Sequence, residues 1–549
     1  MSDASLSSRP GASSLVPKLV TVLREGYGLP QLRADAMAGL TVAIVALPLS
    51  MAIAIASGVG PERGLFTAIV GGFLVSLLGG SRYQIGGPAG AFIVLVAACV
   101  AQTGVGGLAL ATFLSGIMLA ILGVLRLGQT IRYMPYPVTV GFTSGIGVII
   151  FSSQIKDMFG LTLAHGEPGP ILPKLAALWE ARGTITPAAV GVALGTVVVI
   201  ELIKRFRPRW PSLLMGIALT TLVAALLHLP VETIGSRFGE LPRLLPAPHL
   251  PEITMQTVTA ALPWAASFTL LGAIESLLSA MVADGMSGTL HRSNMELVAQ
   301  GVANMGAALF GGFCVTGTIA RTATNIRAGA HGPVSGMLHA LFVLGFMILV
   351  APLAAYIPLP ALAGLLGIVA WNMIEKTEFA GLLRASKGDA LVLLVTFLVV
   401  VFRDLAEGIV LGFALGGLVF IRRMAEMAQL AEGEPQEVTG DAPQPADLVT
   451  YHLRGAVFFG SVARLGTVLD RIAQRPRAVL LDVSEVSFVD STGARMIHEL
   501  AQKLARRGGR LIVLGAASPL EQAMRAQGLG EPDLAFAGTS EAAAELLSA

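Results

Sequence analysis

Between residues 36 and 421 one apolar segment follows another, each parted from the next by a few polar or turn-forming residues. A transmembrane helix needs about 20 consecutive apolar residues. The runs near 36–57, 62–80, 107–128, 133–153, 186–204, 211–229, 261–283, 333–355, 359–374, 388–402 and 405–421 approach or reach that length, and shorter or interrupted runs near 88–103, 296–310 and 315–330 bring the total to fourteen. In lipid every backbone N–H and C=O must be satisfied internally, so the predicted fold class is a polytopic α-helical membrane protein. Only 13% of residues are charged, which excludes an ordinary soluble globule for most of the length. A net charge of +2 gives no support for a nucleic-acid partner. The first 35 residues are polar and hold no short apolar core ahead of a small-residue cleavage site, so no cleaved signal peptide is expected.

Placing the amino terminus in the cytoplasm puts Arg82, Arg126, Arg132, the basic run 204–209, Arg292 and Arg422-Arg423 on the same side, as the positive-inside rule requires. The connections 155–185 and 230–260 then face out, and an even number of spans returns the carboxy terminus to the cytoplasm. The expected location is the inner (plasma) membrane.

One stretch makes a poor lipid-facing helix. Gly311 to Gly329 opens with glycines and carries Arg321, Arg327 and four threonines, Thr316, Thr318, Thr322 and Thr324. Backbone that is not fully helical at membrane depth is tolerated only where protein or a water-filled cavity covers it. This stretch reads as a half-length helix whose amino end, near Thr316 and Gly317, aims free N–H groups at the middle of the membrane, where they attract an anion. Gly86-Gly87-Pro88-Ala89-Gly90 opens the third span in a similar way, and the offset that carries Pro88 onto Thr316 also carries Pro48 onto Ser276. Fourteen spans therefore divide into seven plus seven with the second half inverted, and paired broken segments in inverted halves point to a substrate site at the bilayer midplane. The alternative is that these glycines and prolines only permit close helix packing.

Glu275 lies in the middle of an apolar span, with Ser279 one turn on. An ionisable group at that depth is by default a functional-site hypothesis. The neutral carboxyl is the cheaper form in an apolar medium, which makes Glu275 a candidate proton carrier; with Ser279 it offers oxygen ligands for a proton or a small cation. The other reading locks Glu275 to Arg321 as a buried strut. Arg321 in turn either adds positive potential for an anion or only neutralises Glu275. Ser50 and Met51, after a break at Pro48, are placed to give packing or a hydroxyl to the same cavity. Asp284, Glu201 and Asp404 sit at span ends, where capping or solvation is expected, and the histidines show no metal spacing. Cys99 and Cys314 form no disulfide framework. No nucleotide-binding loop and no catalytic constellation is present, so the chain is not read as an enzyme and no cofactor is expected.

Residues 424–446 are polar and read as a linker. Beyond them, apolar runs at 448–453, 456–460, 478–483 and 510–514 suit strands, while 461–474, 492–507, 518–527 and 539–548 suit amphipathic helices. Interleaving of this kind indicates a small α/β domain. Asp490 or Ser491 can cap the helix that starts there.

The motifs Leu47-Pro48-Leu49-Ser50-Met51-Ala52, Gly86-Gly87-Pro88-Ala89, Glu275-Ser276-Leu277-Leu278-Ser279, Val315 to Thr322, and Phe488-Val489-Asp490-Ser491-Thr492-Gly493, in that order, resemble the sulfate permease (SulP) family of anion transporters with its carboxy-terminal STAS domain. The resemblance implies a core of spans one to four and eight to eleven moving against a gate of the others, and a homodimer. It implies an anion site at Ala89-Gly90 and Thr316-Gly317-Thr318, with Ser50 and Arg321 added from the residue reading, and ion coupling at Glu275 and Ser279. Thr492 matches the phosphoacceptor of related anti-sigma-factor antagonists, and a cytoplasmic partner of the STAS domain is implied. Many members have Gln where this chain has Leu49. Sodium-coupled bicarbonate members tend to have Asp and Thr at the positions of Glu275 and Ser279, which favours a proton over Na+ as the coupling ion. The expected domains are an amino-terminal segment 1–35, a transport domain 36–423, the linker 424–446 and a STAS domain 447–549. The expected function is secondary active transport of a small anion, of the sulfate, bicarbonate or dicarboxylate class, by proton symport. Electroneutral exchange, sodium-coupled bicarbonate transport and a membrane-anchored signalling platform are the alternatives.

Overall fold

The computed structural model describes residues 15–131, 134–164, 167–208, 210–432, 448–462, 465, 478–526, 528–530 and 534–548. Arg132, Arg209, most of the linker and most of the helix expected at 461–474 lie outside them. The chain divides into two compact units, residues 1–413 and 414–549.

The principal helices of the membrane part are α1 (Leu29–Ala56), α2 (Pro61–Leu78), α3 (Gly90–Val124), α4 (Tyr136–Phe159), α5 (Pro187–Phe206), α6 (Ser212–Leu226), α7 (Met255–Ser287), α8 (Ser293–Leu309), α9 (Ile319–Arg327), α10 (Val334–Ala354), α11 (Leu359–Met373), α12 (Lys387–Phe402) and α13 (Leu405–Met427). Each predicted apolar segment coincides with one of them. Of these, α1 to α5, α7 and α13 are long and apolar enough to cross a bilayer by length and composition. The predicted runs 88–103 and 107–128 both fall in α3, on either side of Gly104, whose φ of 71° and ψ of −177° interrupt the helical path; only a glycine adopts such a backbone without strain. The break expected at Pro48 is not there. α1 runs through it, because a helix embedded among others tolerates one missing N–H.

Two strands of two residues each, β1 (Gly86–Gly87) and β2 (Thr316–Gly317), precede α3 and α9. Around them the order of elements in the first half, a long helix, a second helix, a two-residue strand and then two helical segments, is met again from α7 onward.

α8 lies in close contact with the carboxy-terminal part of α3. A Cβ at Gly301 would stand 2.5 Å from the carbonyl oxygen of Gly116, and one at Gly116 would stand 2.6 Å from that of Gly301. Without a hydrophobic force between helices in lipid, small residues that let backbones meet provide the packing energy. The outer surface follows the opposite rule: Leu194, Val198 and Leu202 on α5 are about half exposed at a spacing of four, a stripe suited to hydrocarbon. At one end of the bundle Arg82 pairs with Glu25 at 2.8 Å and Arg292 donates to the Val16 carbonyl at 2.8 Å, so two of the basic residues expected on one side meet the amino-terminal segment there.

In the second unit the strands are β3 (Gln429–Glu432), β4 (Leu448–Val457), β5 (Ala478–Asp482), β6 (Val486–Val489), β7 (Arg510–Leu514) and β8 (Leu534–Ala537). The sheet order is β3-β4-β5-β7-β8, with β6 also pairing β4, antiparallel at β3 and parallel elsewhere. Helix α14 (Ser491–Ala505) buries Ile497, Leu500 and Leu504 with Leu481 and Val513, while Leu480, Ile512 and Ala543 form a second core. Both faces of the parallel strands are thus covered, as such sheets require. Of the residues read as linker, 424–427 continue α13 and 429–432 form the edge strand, because their backbone finds partners in 451–454.

Candidate functional site

The two interrupted segments meet. β1 and β2 pair antiparallel, Gly86 opposite Gly317 and Gly87 opposite Thr316. Beyond β1 the chain stays extended at Ala89, makes a tight helical turn over Gly90–Phe92 and enters the body of α3. Beyond β2 it stays extended at Thr318 and enters α9 at Ile319. The bridge therefore presents two helix amino ends to the same space, and the first amides of each helix have no intrahelical acceptor. The helical turn starts at Ile319, later than the expected Thr316-Gly317, because the backbone of those two residues is committed to β1.

A cavity of about 390 Å³ opens at these ends, lined by Pro88 to Ala91, Thr318 to Arg321 and Glu275. Leu49, Ile53, Ile150, Leu366 and Met373 are among the apolar residues of the remaining wall, and Lys204 of α5 adds a cation to it. Low-polarity walls strengthen the field of any charge beside them. Arg321 is 2% exposed. Its Nη2 donates to Ser50 Oγ at 3.1 Å and to the Pro88 carbonyl at 3.4 Å, whereas Nε and Nη1 have no partner among the described residues. The group fits there because residue 87 is glycine: a Cβ at that position would collide with Nη1. The guanidinium thus sits beneath the third-span stub with donor capacity to spare.

Glu275, 8% exposed, reaches the same cavity from α7. Among the described residues it forms neither a hydrogen bond nor an ion pair, so the buried strut between Glu275 and Arg321 is not formed. Ser279 Oγ instead meets Thr322 Oγ1 of α9 at 3.2 Å, and Thr322 Oγ1 accepts from the Ile85 amide at 3.1 Å. Of the residues singled out from the sequence, Ala89, Gly90, Thr318, Arg321 and Glu275 line the cavity; Ser50, Thr316, Gly317 and Ser279 stand behind it.

Sequence reasoning missed the opposite wall. Thr143 of α4, Asn372 of α11 and Glu375 line it, and Thr143 Oγ1 donates to Glu375 at 3.4 Å. A polar Asn at the end of an apolar run was the available signal. A second cavity of similar volume, lined in part by Lys156, Asp157, Glu232 and Arg237, receives neither stub. Asp404 accepts from the Ala406 amide at 2.8 Å, a capping contact, whereas Asp284 is held by His291 at 2.6 Å instead of being solvated or capping. In the second unit Asp490, rather than Ser491, caps α14 by accepting from the Gly493 amide at 2.7 Å, and Thr492 is exposed in the first turn.

The chain matches the model of the Sulfate permease family over residues 32–396 and that of the STAS domain over 440–542. YvdB of Bacillus subtilis (strain 168), provisionally named as a sulfate transporter, is 39% identical over 92% of this chain and 95% of its own. The solved transmembrane domain of BicA, a bicarbonate transporter of a cyanobacterium, is 31% identical, with a TM-score of 0.62 over 72% of this chain and 98% of that one. The murine anion transporter Slc26a9, solved in an inward-facing state, shares the fold over all of this chain and 96% of its own, with a TM-score of 0.85 at 18% identity. The crossed stubs, the cavity they face and the α/β unit that follows them thus belong to a transporter rather than an enzyme, and the chain is a member of the sulfate permease family that carries a STAS domain.

Proposed function

We propose that this protein takes up a small anion by alternating access, binding it between the amino ends of α3 and α9, with Arg321 adding charge from below and Glu275 carrying the coupled proton. The observation that carries the reading is the antiparallel bridge of Gly86-Gly87 to Thr316-Gly317 beside a half-satisfied Arg321. Two helix termini, Arg321 and Lys204 outweigh Glu375 once Glu275 is protonated, so the cavity then favours negative charge. Sulfate, bicarbonate and dicarboxylates all fit that chemistry. The likeness to BicA at 31% identity supports bicarbonate as a cargo, and the names of other relatives support sulfate.

A divalent anion moving inward against a negative interior faces ~4.6 kcal/mol per 100 mV, from ~2.3 per charge, and co-transported protons offset it. The unpaired state of Glu275 supports a titrating role over permanent neutralisation by Arg321. In proteoliposomes with an imposed pH gradient, Glu275→Gln should abolish the gradient's effect on uptake while anion binding persists; gradient-driven uptake equal to the parent's refutes the coupling role. The reading extends to a seven-plus-seven inverted repeat, Ser50 and Ser279 as supports of Arg321 and α9, a homodimer in the inner membrane with both termini cytoplasmic, and Thr492 as a phosphoacceptor facing a STAS partner.

A further inference from the structure

α8 contributes no side chain to the cavity, yet it carries a buried polar stripe. Glu296, Gln300 and Asn304 follow at a spacing of four, so they share one face, and they are 0%, 0% and 2% exposed. Buried polar groups are expensive unless they are hydrogen-bonded, and the partners here are specific.

Glu296 Oε2 accepts from the amides of Gly80 and Ser81 at 2.9 and 3.0 Å, and its Oε1 accepts from Gln84 Nε2 and Gln300 Nε2, both at 2.9 Å. Residues 80–84 are the lead into β1. The Gln84 amide also presses against Gly317 of β2, where a Cβ would collide with it. Two turns along α8, Asn304 Oδ1 accepts from the Val315 amide at 2.9 Å and Asn304 Nδ2 donates to the Val315 carbonyl at 2.8 Å. Val315 is the lead into β2. One helix, itself wedged against α3 through Gly301, therefore grips the approach to both stubs.

We propose that Glu296 and Asn304 are positioning residues for the anion site: together they fix where the two helix amino ends stand, without touching the anion. This rests on the reading that an anion binds between those ends. The two grips differ in what they tolerate. Asn304 uses both its donor and its acceptor on the backbone N–H and C=O of one residue, Val315, so an aspartate there turns one hydrogen bond into repulsion between oxygens. Glu296 is different, since Gln84 Oε1 and Gln300 Oε1 have no partner among the described residues. A glutamine at 296 can keep one oxygen on the Gly80 and Ser81 amides and offer its NH2 to either of those oxygens once that amide turns over.

The test combines radiolabelled sulfate and bicarbonate uptake in proteoliposomes with hydrogen exchange of the full chain in detergent. Asn304→Asp and Glu296→Leu should raise KM by roughly tenfold, the factor lost with about 1.4 kcal/mol, with Vmax within about twofold of the parent. Glu296→Gln should recover most of the affinity lost in Glu296→Leu. Exchange of the amides at 80–85 in the Glu296→Leu chain, and of Val315 in the Asn304→Asp chain, should quicken by a similar factor. Unchanged KM in a transporting Asn304→Asp chain, or unchanged exchange at Val315, overturns the inference. A parent that carries neither anion overturns the transport reading instead, and the exchange result then decides the grip by itself.

Discussion

Replacing Arg321 by glutamine separates charge from hydrogen bonding at the cavity. The native guanidinium makes two contacts, to Ser50 Oγ and the Pro88 carbonyl, worth ~1 kcal/mol each in ordinary circumstances, and a glutamine amide can retain a donor toward them. The charge is the larger quantity. At an effective dielectric of ~20 and a separation of ~6 Å, one unit charge holds a monovalent anion by about 3 kcal/mol and a divalent one by about twice that. Since about 1.4 kcal/mol is tenfold, Arg321→Gln should weaken bicarbonate by roughly a hundredfold and sulfate by more. Arg321→Lys, which keeps the charge but loses the fork, should fall between parent and glutamine. The assay is competition of unlabelled against labelled anion for uptake at fixed pH gradient, with a thermal melt of each variant to confirm folding. Equal, less than threefold losses for both anions in Arg321→Gln would show that the side chain only fills space, and the electrostatic reasoning would fail.

Other consequences follow from the same geometry. Gly87→Ala should depress anion affinity while leaving the yield of folded protein near normal, because the new methyl meets only the mobile end of Arg321; size-exclusion profiles with uptake kinetics would check it. Gly301→Ala meets the rigid backbone of α3 instead, so it should lower the melting temperature or the yield with little change in KM for whatever protein survives. In the STAS unit, burial works to raise the Asp482 pKa, but the Ser484 amide and hydroxyl and the His452 ring hold it below the ordinary 3.8. A depressed carboxylate contributes stability above that ordinary value and loses it as the pH falls through the depressed one. Asp482→Asn should therefore flatten the loss of STAS-unit exchange protection as the pH falls below 3.8.

Much of the site was legible because lipid makes anomalies conspicuous. Glu275, Arg321 and the glycine-rich openings at 86 and 311 stood out as groups that hydrocarbon would not accept. What could not be read was partnership. The backbones of Gly86-Gly87 and Thr316-Gly317 satisfy each other, which no local pattern reveals, and so the amino end of α9 was expected too early. The continuity of α1 through Pro48 depends on its neighbours in the bundle. Thr143 and Asn372 come from helices whose own sequences look ordinary, and Glu375 from the turn that follows α11. The stripe of Glu296, Gln300 and Asn304 was visible as polar letters in a short apolar run, but its role depends on segments more than two hundred residues away or beyond the next turn.

The bridge between β1 and β2 also sets an order of assembly. Gly87 and Thr316 lie over two hundred positions apart in the chain, so at ~5–20 residues per second the ribosome needs roughly ten to fifty seconds after making the first strand before the second exists. During that interval the newly inserted first half holds a short length of backbone at membrane depth whose hydrogen bonds have no protein partner, a state that lipid penalises. Biogenesis of this transporter therefore includes a waiting period in which an insertase, or water drawn in beside it, must shelter an unfinished seam until the second half arrives.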